Sequence, residues 1–280
     1  MTPDETRLLV CDGGNRRVVV ADARDGRSLR ELRGPAGTLS CPTQAVVVPL
    51  TGQVLVVDNN RHLVVVFAGV DDDTVVRTLG DGQGPGPRQL SHPCGLAVLD
   101  GEVGDAAAPD GPVAVVADNW NHRLALFRVR DGTLVRHLGS VGTAPGQFIH
   151  PRAVTVVPAR ATGNDEAWLV VADLINHRVQ VLTRTGTVVR VLQGDATVRL
   201  GSFLWGVTVC VATGEVLVTD RENHRVVSWR LADGGGLRVV CGGVKGSGEG
   251  QLDQPTGVVM SSDGALWVAD KDNHRLCLFH

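Results

Sequence analysis

The sequence predicts an all-β protein built from six copies of one unit of about fifty residues. The chain of 280 residues is rich in Val and Leu, and its 35 Gly and 13 Pro fall between apolar runs. Strand-forming residues separated by frequent turn residues are typical of an all-β fold. Self-similarity at a fixed period of this length indicates a solenoid, a propeller or an array.

Each copy is marked by an Asp that ends an apolar run, and in four of the six copies the turn reads Asp-x-x-Asn-His-Arg. The six Asp residues, which stand 46, 60, 55, 47 and 50 positions apart, are Asp12, Asp58, Asp118, Asp173, Asp220 and Asp270. Five copies carry the Arg five positions later, at Arg17, Arg123, Arg178, Arg225 and Arg275. In the second copy Leu63 takes that position, and a basic residue, Arg61, stands two positions earlier.

One full unit, residues 139–192, divides into four predicted strands. A Gly-rich loop leads into a first strand at 154–157, and three more follow at 168–173, 179–183 and 187–192. Several of these strands are apolar at every position, so we expect them to be buried on both faces. Four antiparallel strands per unit make a propeller blade, in which neighbouring blades supply both dry faces.

Counting strands predicts a six-bladed β-propeller of four-stranded antiparallel blades, with incomplete first and last blades at the ring seam. The pattern gives six second and six third strands, but only five inner and five outer strands. We assign one domain over residues 1–280, with blades at 7–33, 42–80, 93–139, 151–192, 204–241 and 255–280. A five-bladed ring, in which 28–33 closes the last blade, and a fragment of a longer chain remain alternatives.

Two insertions interrupt the repeat, at residues 100–112 and 158–167. Both lie between the first and second strands of their blades, and both are rich in Asp, Gly, Pro and Ala. We therefore expect mobile loops that project from one face, the bottom.

Composition excludes several partners. The net charge is −3, from 27 basic and 30 acidic residues that are well mixed, so no global field attracts DNA or an anionic membrane. No segment resembles an export signal or a membrane span. The six Cys include no C-x-x-C pair and lie mostly in apolar strands. Buried thiols of this kind favour a soluble, cytoplasmic protein.

The combined pattern resembles NHL repeats. A Gly-rich loop ending in Gly-Gln-Phe or Gly-Gln-Leu precedes Pro-x-Gly-Val and Val-Ala-Asp-x-x-Asn-His-Arg, most completely at 139–192 and 242–279. Arg16 in place of His and Leu204 in place of Pro are local departures. The resemblance implies a β-propeller, commonly six-bladed, that serves as a platform for proteins or RNA. A minority of similar propellers are enzymes, including amidating lyases and lactonases.

The residues disfavour the enzymatic alternative, a metal-dependent lyase or lactonase. The chain contains no Tyr, which the amidating lyases use, and its inner strands carry Val, Thr, Gly and Cys where lactonases need acidic and amide ligands. The repeated Asp, Asn and His lie one set per blade, so they do not converge on a metal. The Gly-rich loops lead into strands and not into helices, which argues against phosphate binding. We predict no catalytic residue, metal or cofactor.

We assign the repeated turn a structural role. The Asp is expected to accept N–H bonds from the turn backbone, the Asn to take the left-handed conformation, and the Arg to pair with the Asp. Such local chemistry explains every copy without a ligand.

Positions that differ between blades are better candidates for binding. The residues that follow the inner-strand Pro are predicted to ring the top mouth of the channel: Thr43, Cys94, Arg152, Trp205 and Thr256. Top-face loops add Arg61, Arg88, Trp120, Phe148, Arg199 and Lys245. A guanidinium and an indole at a concave mouth suit a peptide or a carboxylate-bearing ligand.

We therefore predict a non-enzymatic scaffold that binds a protein or peptide, with Arg152 as the anion anchor and Trp205 and Trp120 as apolar anchors. Alternatively, Trp205 plugs the channel where the Pro is missing. RNA is less favoured, because acidic residues such as Asp81 and Asp253 are interspersed among the basic ones.

Overall fold

A computed structural model describes residues 1–99, 111–163 and 166–280. These residues form 22 strands, four 3-10 turns and one α-helix of four residues, so the chain is all-β as predicted. The strands assemble into six antiparallel sheets, which are the blades of a six-bladed β-propeller fold. The chain divides into two compact units, residues 1–138 and 139–280, and each contains three blades.

The first unit contains blades 1 to 3. Blade 1 has the three strands β1 (Arg7–Asp12), β2 (Arg17–Asp22) and β3 (Ser28–Leu32). Blade 2 has β4 (Pro42–Val47), β5 (Val54–Asp58), β6 (Leu63–Phe67) and β7 (Val75–Leu79). Blade 3 has β8 (Leu96–Leu99), β9 (Val113–Asp118), β10 (Arg123–Arg128) and β11 (Leu134–Leu138).

The second unit contains blades 4 to 6. Blade 4 has β12 (Pro151–Val157), β13 (Trp168–Asp173), β14 (Arg178–Thr183) and β15 (Val188–Leu192). Blade 5 has β16 (Leu204–Cys210), β17 (Glu215–Asp220), β18 (Arg225–Arg230) and β19 (Arg238–Gly242). Blade 6 has the three strands β20 (Pro255–Met260), β21 (Leu266–Asp270) and β22 (Arg275–Phe279).

The first and last blades are incomplete, as predicted, because each has three strands among the described residues. Strand β3 pairs with β2 in antiparallel register, with Val18 opposite Leu32, so it is the outer strand of blade 1. The alternative of five blades, in which this segment closes the last blade, is wrong.

The core lies between successive blades. Every residue of β5, β9 and β13 is buried, which confirms that these strands have two dry faces. In the first unit one cluster joins Val18 and Val20 of blade 1 to Val54 and Val56 of blade 2. The other clusters pack blade 2 on 3, blade 4 on 5 and blade 5 on 6 in the same way. Burial of this apolar surface fixes the face-to-face packing within each unit.

Both predicted insertions extend beyond the described residues. The structure does not describe residues 100–110 of the first or residues 164–165 of the second. The second was expected to be a loop, but its described part contains the helix α1 (Ala159–Thr162). Pro158 precedes the helix and Gly163 ends it with a φ of 73°, and both are residues that favour helix boundaries. No helix in the described part of the chain is long and apolar enough to cross a membrane.

Candidate functional site

The repeated Asp turn binds a buried carboxylate from several directions. In blade 4, Asp173 is fully buried, and its Oδ2 accepts hydrogen bonds from Arg178 Nε at 2.8 Å and Asn176 Nδ2 at 2.8 Å. Its Oδ1 accepts from the backbone N–H of Ile149 at 2.8 Å. The same bonds to Asn, Arg and a backbone N–H recur at Asp118, Asp220 and Asp270. These bonds offset the cost of burying each charge.

The Arg of the turn also holds the Gly-rich loop that precedes its blade. Arg178 donates to the carbonyl oxygens of Thr143 at 2.6 Å, of Ala144 at 2.9 Å and of Gln147 at 2.9 Å. In blade 2, where Leu63 replaces this Arg, Arg61 donates to loop carbonyls at Gly37 and Thr38. Arg61 therefore supplies the loop contact of the missing Arg, but not its side-chain bond to the Asp.

Two details of the predicted turn are wrong. The left-handed residue is the His and not the Asn, with φ between 51° and 57° at the five His positions and 55° at Arg16. The N–H groups that reach the Asp come from the loop before the inner strand, with the Arg61 N–H as the exception. The Asn side chain donates to the Asp carboxylate, as Asn176 does to Asp173. The backbone of this Asn lies in the right-handed 3-10 turn.

The left-handed His connects one blade to the next. His62 Nδ1 in blade 2 accepts a hydrogen bond from the His92 N–H, 3.0 Å away, just before the inner strand of blade 3. His224 Nδ1 in blade 5 likewise accepts from the Gln254 N–H, 3.1 Å away, before blade 6. The His residues of the repeat are therefore part of the scaffold.

In the first unit, the two predicted channel-mouth residues bind each other. Thr43 Oγ1 donates to the carbonyl of Cys94 at 2.9 Å, and Cys94 is buried. Beside them, the Gln44 side-chain amide donates to the carbonyl of Leu96 at 2.8 Å and accepts from its N–H at 3.1 Å. Short polar side chains here complete the main-chain hydrogen bonding of the neighbouring blade.

In the second unit, Arg152 and Trp205 meet together with a third residue, Arg221. The guanidinium carbon of Arg152 lies 3.7 Å from the centroid of the Trp205 ring, and that of Arg221 lies 4.4 Å from it. Contacts of this length are cation–π interactions. We call Arg152, Trp205 and Arg221 the stacked-arginine cluster.

Sequence reasoning missed Arg221. It directly follows Asp220 in the turn of blade 5, where a reading of the repeat as scaffold absorbs it. The available signal was that no other copy carries an Arg at this position. Its backbone N–H donates to the carbonyl of Phe203 at 3.0 Å, which holds it beside β16.

The charge of Arg221 stands out among the described residues. Its guanidinium forms no ion pair or hydrogen bond with a described residue, and its Nε is buried without a partner. The pKa of Asp272 is lowered, mainly by the hydrogen bond from Lys271. The positive charge of Arg221 lowers the pKa of Asp272 further. Asp272 itself is paired with Lys271 at 2.9 Å.

The segment around Trp205 depends on a close approach at Gly206. The Gly206 N–H donates to Thr219 Oγ1 at 2.7 Å, and Thr219 donates to the carbonyl of Thr256 at 2.9 Å. A Cβ on Gly206 would overlap that Thr256 carbonyl. Leu204, fully buried opposite Asp220, takes the position of the missing Pro, so Trp205 does not replace it.

The remaining predicted loop residues differ in exposure and in their partners. Phe148 is 0% exposed, so it belongs to the core and cannot offer a surface contact; this prediction is wrong. Arg88 is paired with Asp81 at 2.9 Å, and Lys245 lies 3.7 Å from Asp253. The Arg199 side chain is exposed.

Trp120 lies in the first unit and is 57% exposed. Its ring stands 4.3 Å from the ring of His92, which in turn stands 4.6 Å from that of His62. Burial and the neighbouring His92 lower the pKa of His62, so the His62 ring is neutral near pH 7. The rings of Trp120, His92 and His62 thus form an aromatic row within the first unit.

The thiols and metal ligands add no chemistry to the site. None of the six cysteines forms a disulfide, and burial raises the pKa of Cys11 and of Cys241 to about 12. Across 1–99, 111–163 and 166–280, no group of three or more His, Cys, Asp or Glu side chains could hold a metal ion.

Comparison with known proteins identifies the repeat. The NHL repeat family model matches residues 202–227 and 252–279, which contain the Asp turns of blades 5 and 6. The chain is therefore a six-bladed β-propeller with NHL repeats at these two places. No curated protein sequence matches it.

Two solved structures share the fold. Hydrazine synthase from Kuenenia stuttgartiensis is 16% identical, with a TM-score of 0.65 over 99% of this chain and 74% of that one. Selenomethionine-substituted virginiamycin B lyase from Staphylococcus aureus is 12% identical, with a TM-score of 0.63 over 100% of this chain and 82% of that one. At these identities the likeness shows a common fold alone.

Proposed function

We propose that this propeller is a non-enzymatic binding module that recognises a protein or peptide, with the stacked-arginine cluster as its main contact. The observation that carries the proposal is the guanidinium of Arg221, which has no ion pair among the described residues although it stands beside a second Arg. The repeated Asp and Arg residues, in contrast, are fully used within the fold.

The surroundings of the cluster support a protein partner. Phe203, whose carbonyl binds the Arg221 backbone, is 40% exposed, and Ile175, whose N–H donates to Ile149 near Arg152, is 42% exposed. Arg and aromatic residues are enriched in the energetic centres of protein interfaces. A contact of this kind combines charge with apolar area.

RNA fits the cluster less well. Base stacking needs an open aromatic face, but guanidinium groups already lie against the Trp205 ring. Nearby basic groups are also balanced by acids, as in the pair of Lys245 and Asp253. The exposed Trp120 of the first unit is the more open aromatic ring and belongs to our proposal as a second apolar contact.

A double substitution tests the proposal. We expect Arg152→Ala with Trp205→Ala to abolish the capture of protein partners from a lysate, because both the charge and its aromatic support are removed. Arg230→Ala is the matched control, since Arg230 is an exposed Arg paired with Asp233 at 2.8 Å. Equal capture by the double variant, with an unchanged melting temperature, would refute the proposal.

The non-enzymatic part requires its own test, because the fold is shared with a lyase. We expect the purified protein to contain no stoichiometric metal, as measured by elemental analysis. One bound metal ion per chain would favour the alternative, a metal-dependent lyase or lactonase. We also propose a location in the reducing cytoplasm, because Cys94 and Cys210 are small thiols buried within the blades.

A further inference from the structure

The stacked-arginine cluster presents two positive charges against one indole ring. The guanidinium carbons of Arg152 and Arg221 lie 3.7 Å and 4.4 Å from the ring centroid of Trp205. Stacking uses the flat face of a guanidinium, whereas its N–H donors point outward in the plane of the group. An Arg that is stacked in this way is held in place and can still donate hydrogen bonds at its edge.

Other Arg residues of the second unit already have a carboxylate at that edge. Arg225 binds Asp220, Arg238 binds Glu215 and Arg230 binds Asp233, at 2.7 to 2.9 Å. Arg221 has no such partner within the described part of the chain. Its buried Nε is also without a hydrogen-bond acceptor among the described residues.

Two carboxylates near Arg221, one adjacent in sequence and one within reach of its charge, already have hydrogen-bond donors. Glu222, the residue after Arg221, accepts a hydrogen bond from the Ser202 N–H at 2.5 Å. Asp272, which senses the charge of Arg221, is bonded to Lys271. These acids moderate the local positive field, which favours a singly charged group over the dense charge of a phosphate chain.

We propose that Arg152 and Arg221, stacked on Trp205, bind a carboxylate of an acidic peptide whose neighbouring apolar residues contact Phe203 and Ile175. This deepens the proposed function, on which it rests, by naming the chemistry of the partner. The planar fork of an Arg matches a carboxylate through two parallel hydrogen bonds. Phe203, whose carbonyl binds the Arg221 N–H, and Ile175, whose N–H binds the Ile149 carbonyl three residues before Arg152, supply partly exposed apolar area.

A peptide selection tests the inference without knowledge of the natural partner. Random peptides of about eight residues with amidated carboxyl ends, whose only carboxylates are Asp and Glu side chains, are presented to the wild-type chain, to Arg221→Gln and to the control Arg230→Gln. We expect wild type and the control to enrich sequences with Asp or Glu beside an apolar residue, and Arg221→Gln to lose that preference. The melting temperature of each variant shows that it is folded.

One enriched peptide then gives the quantitative result. We expect Arg221→Gln to weaken its binding at least about tenfold, because a charge-assisted hydrogen bond is lost. Replacing the acid of the peptide by its amide should have a similar effect on wild type, and this arm does not depend on the stability of a variant. Higher salt should weaken binding to wild type more than to Arg221→Gln.

The outcomes separate the two proposals. Enrichment of peptides with no excess of Asp or Glu, or equal binding by Arg221→Gln, overturns the carboxylate assignment but leaves peptide recognition intact. A phosphoserine peptide and an oligouridine probe are measured as separate arms, and tight binding of either in place of the acidic peptide overturns the carboxylate assignment in favour of a phosphate ligand. If wild type enriches no peptide at all, both proposals fail.

Discussion

The inner strands of the two units use equivalent positions of the repeat in opposite ways. In the first unit, Thr43 and Gln44 direct their polar atoms to the main chain of blade 3, so the neighbouring blade satisfies them. In the second unit, the equivalent position holds Arg152 and Trp205, which stack together with Arg221. At this position a short polar side chain in blade 2 bonds the main chain of the next blade, whereas the side chains of blades 4 and 5 stack with Arg221, whose guanidinium has no hydrogen-bond partner among the described residues.

The same contrast separates the Asp turns from the cluster. Arg178 makes four hydrogen bonds to its own Asp and its own Gly-rich loop. Arg221 makes none through its guanidinium within the described chain. We therefore assign stability to the residues of the repeated Asp turn, and recognition to the stacked-arginine cluster, whose residue types are not repeated in other blades.

The largest expected effect follows from Arg178→Leu. The change leaves the fully buried Asp173 without its charged partner and removes the hydrogen bonds from Arg178 to three loop carbonyls. Breaking a buried pair by removing one partner costs about 3–5 kcal/mol, so the melting temperature should fall strongly. Arg230→Leu, on an exposed pair, is the control and should change it little. An unchanged melting temperature in Arg178→Leu would contradict the structural role of the turn.

Gly206→Ala should have the next largest effect. Its Cβ would overlap the Thr256 carbonyl, and the strand that carries Trp205 must shift; overpacking of this kind costs about 1–3 kcal/mol. Gly257→Ala is the matched control, because its Cβ would stand 3.5 Å from Ala269 Cβ, an ordinary contact. Denaturant unfolding of both variants measures the difference, and equal stabilities would show that the close approach is relaxed in solution.

Gln44→Leu tests the closed contact of the first unit. It removes two hydrogen bonds to Leu96, each worth about 0.5–1.5 kcal/mol, and leaves the peptide contact untouched. We expect lower stability in denaturant and normal capture of acidic peptides. Loss of capture would mean that the Gln44 contact serves recognition and not the scaffold alone.

The smallest expected effect concerns pH. Burial acts to raise the pKa of Glu215, but hydrogen bonds from Arg238 and Ser228 outweigh it and hold that pKa below its usual value. A lowered folded pKa stabilises the fold above the unfolded pKa, and this stabilisation is lost as pH falls through the folded value. From neutral pH to below pH 4, wild type should therefore lose more stability than Glu215→Gln. Parallel curves would argue against this contribution.

Much of the fold followed from the sequence because its signals are local and repeated. Six Asp turns and doubly apolar strands predict six blades, and the missing inner and outer strands predict two incomplete ones. What failed depends on where a side chain points. The pattern cannot tell that the His, and not the Asn, takes the left-handed conformation, or that Phe148 turns into the core.

The candidate site was predictable only in part, for a related reason. Arg152 and Trp205 occupy a repeat position whose residue type changes from blade to blade, which marked them in the sequence. Arg221 stands inside the repeated turn, and its place against Trp205 arises because its N–H binds the Phe203 carbonyl. That hydrogen bond joins two strands of blade 5 at their ends, and such tertiary placement has no linear signature.

The most direct test of the central claim is the dissociation constant of one enriched acidic peptide, measured by calorimetry for wild type and for Arg152→Gln with Arg221→Gln. We expect binding to weaken by at least about tenfold at an unchanged melting temperature, because the ligand loses its charged partners while the scaffold keeps its Asp turns. An unchanged dissociation constant in the folded double variant would contradict the assignment of recognition to the stacked-arginine cluster.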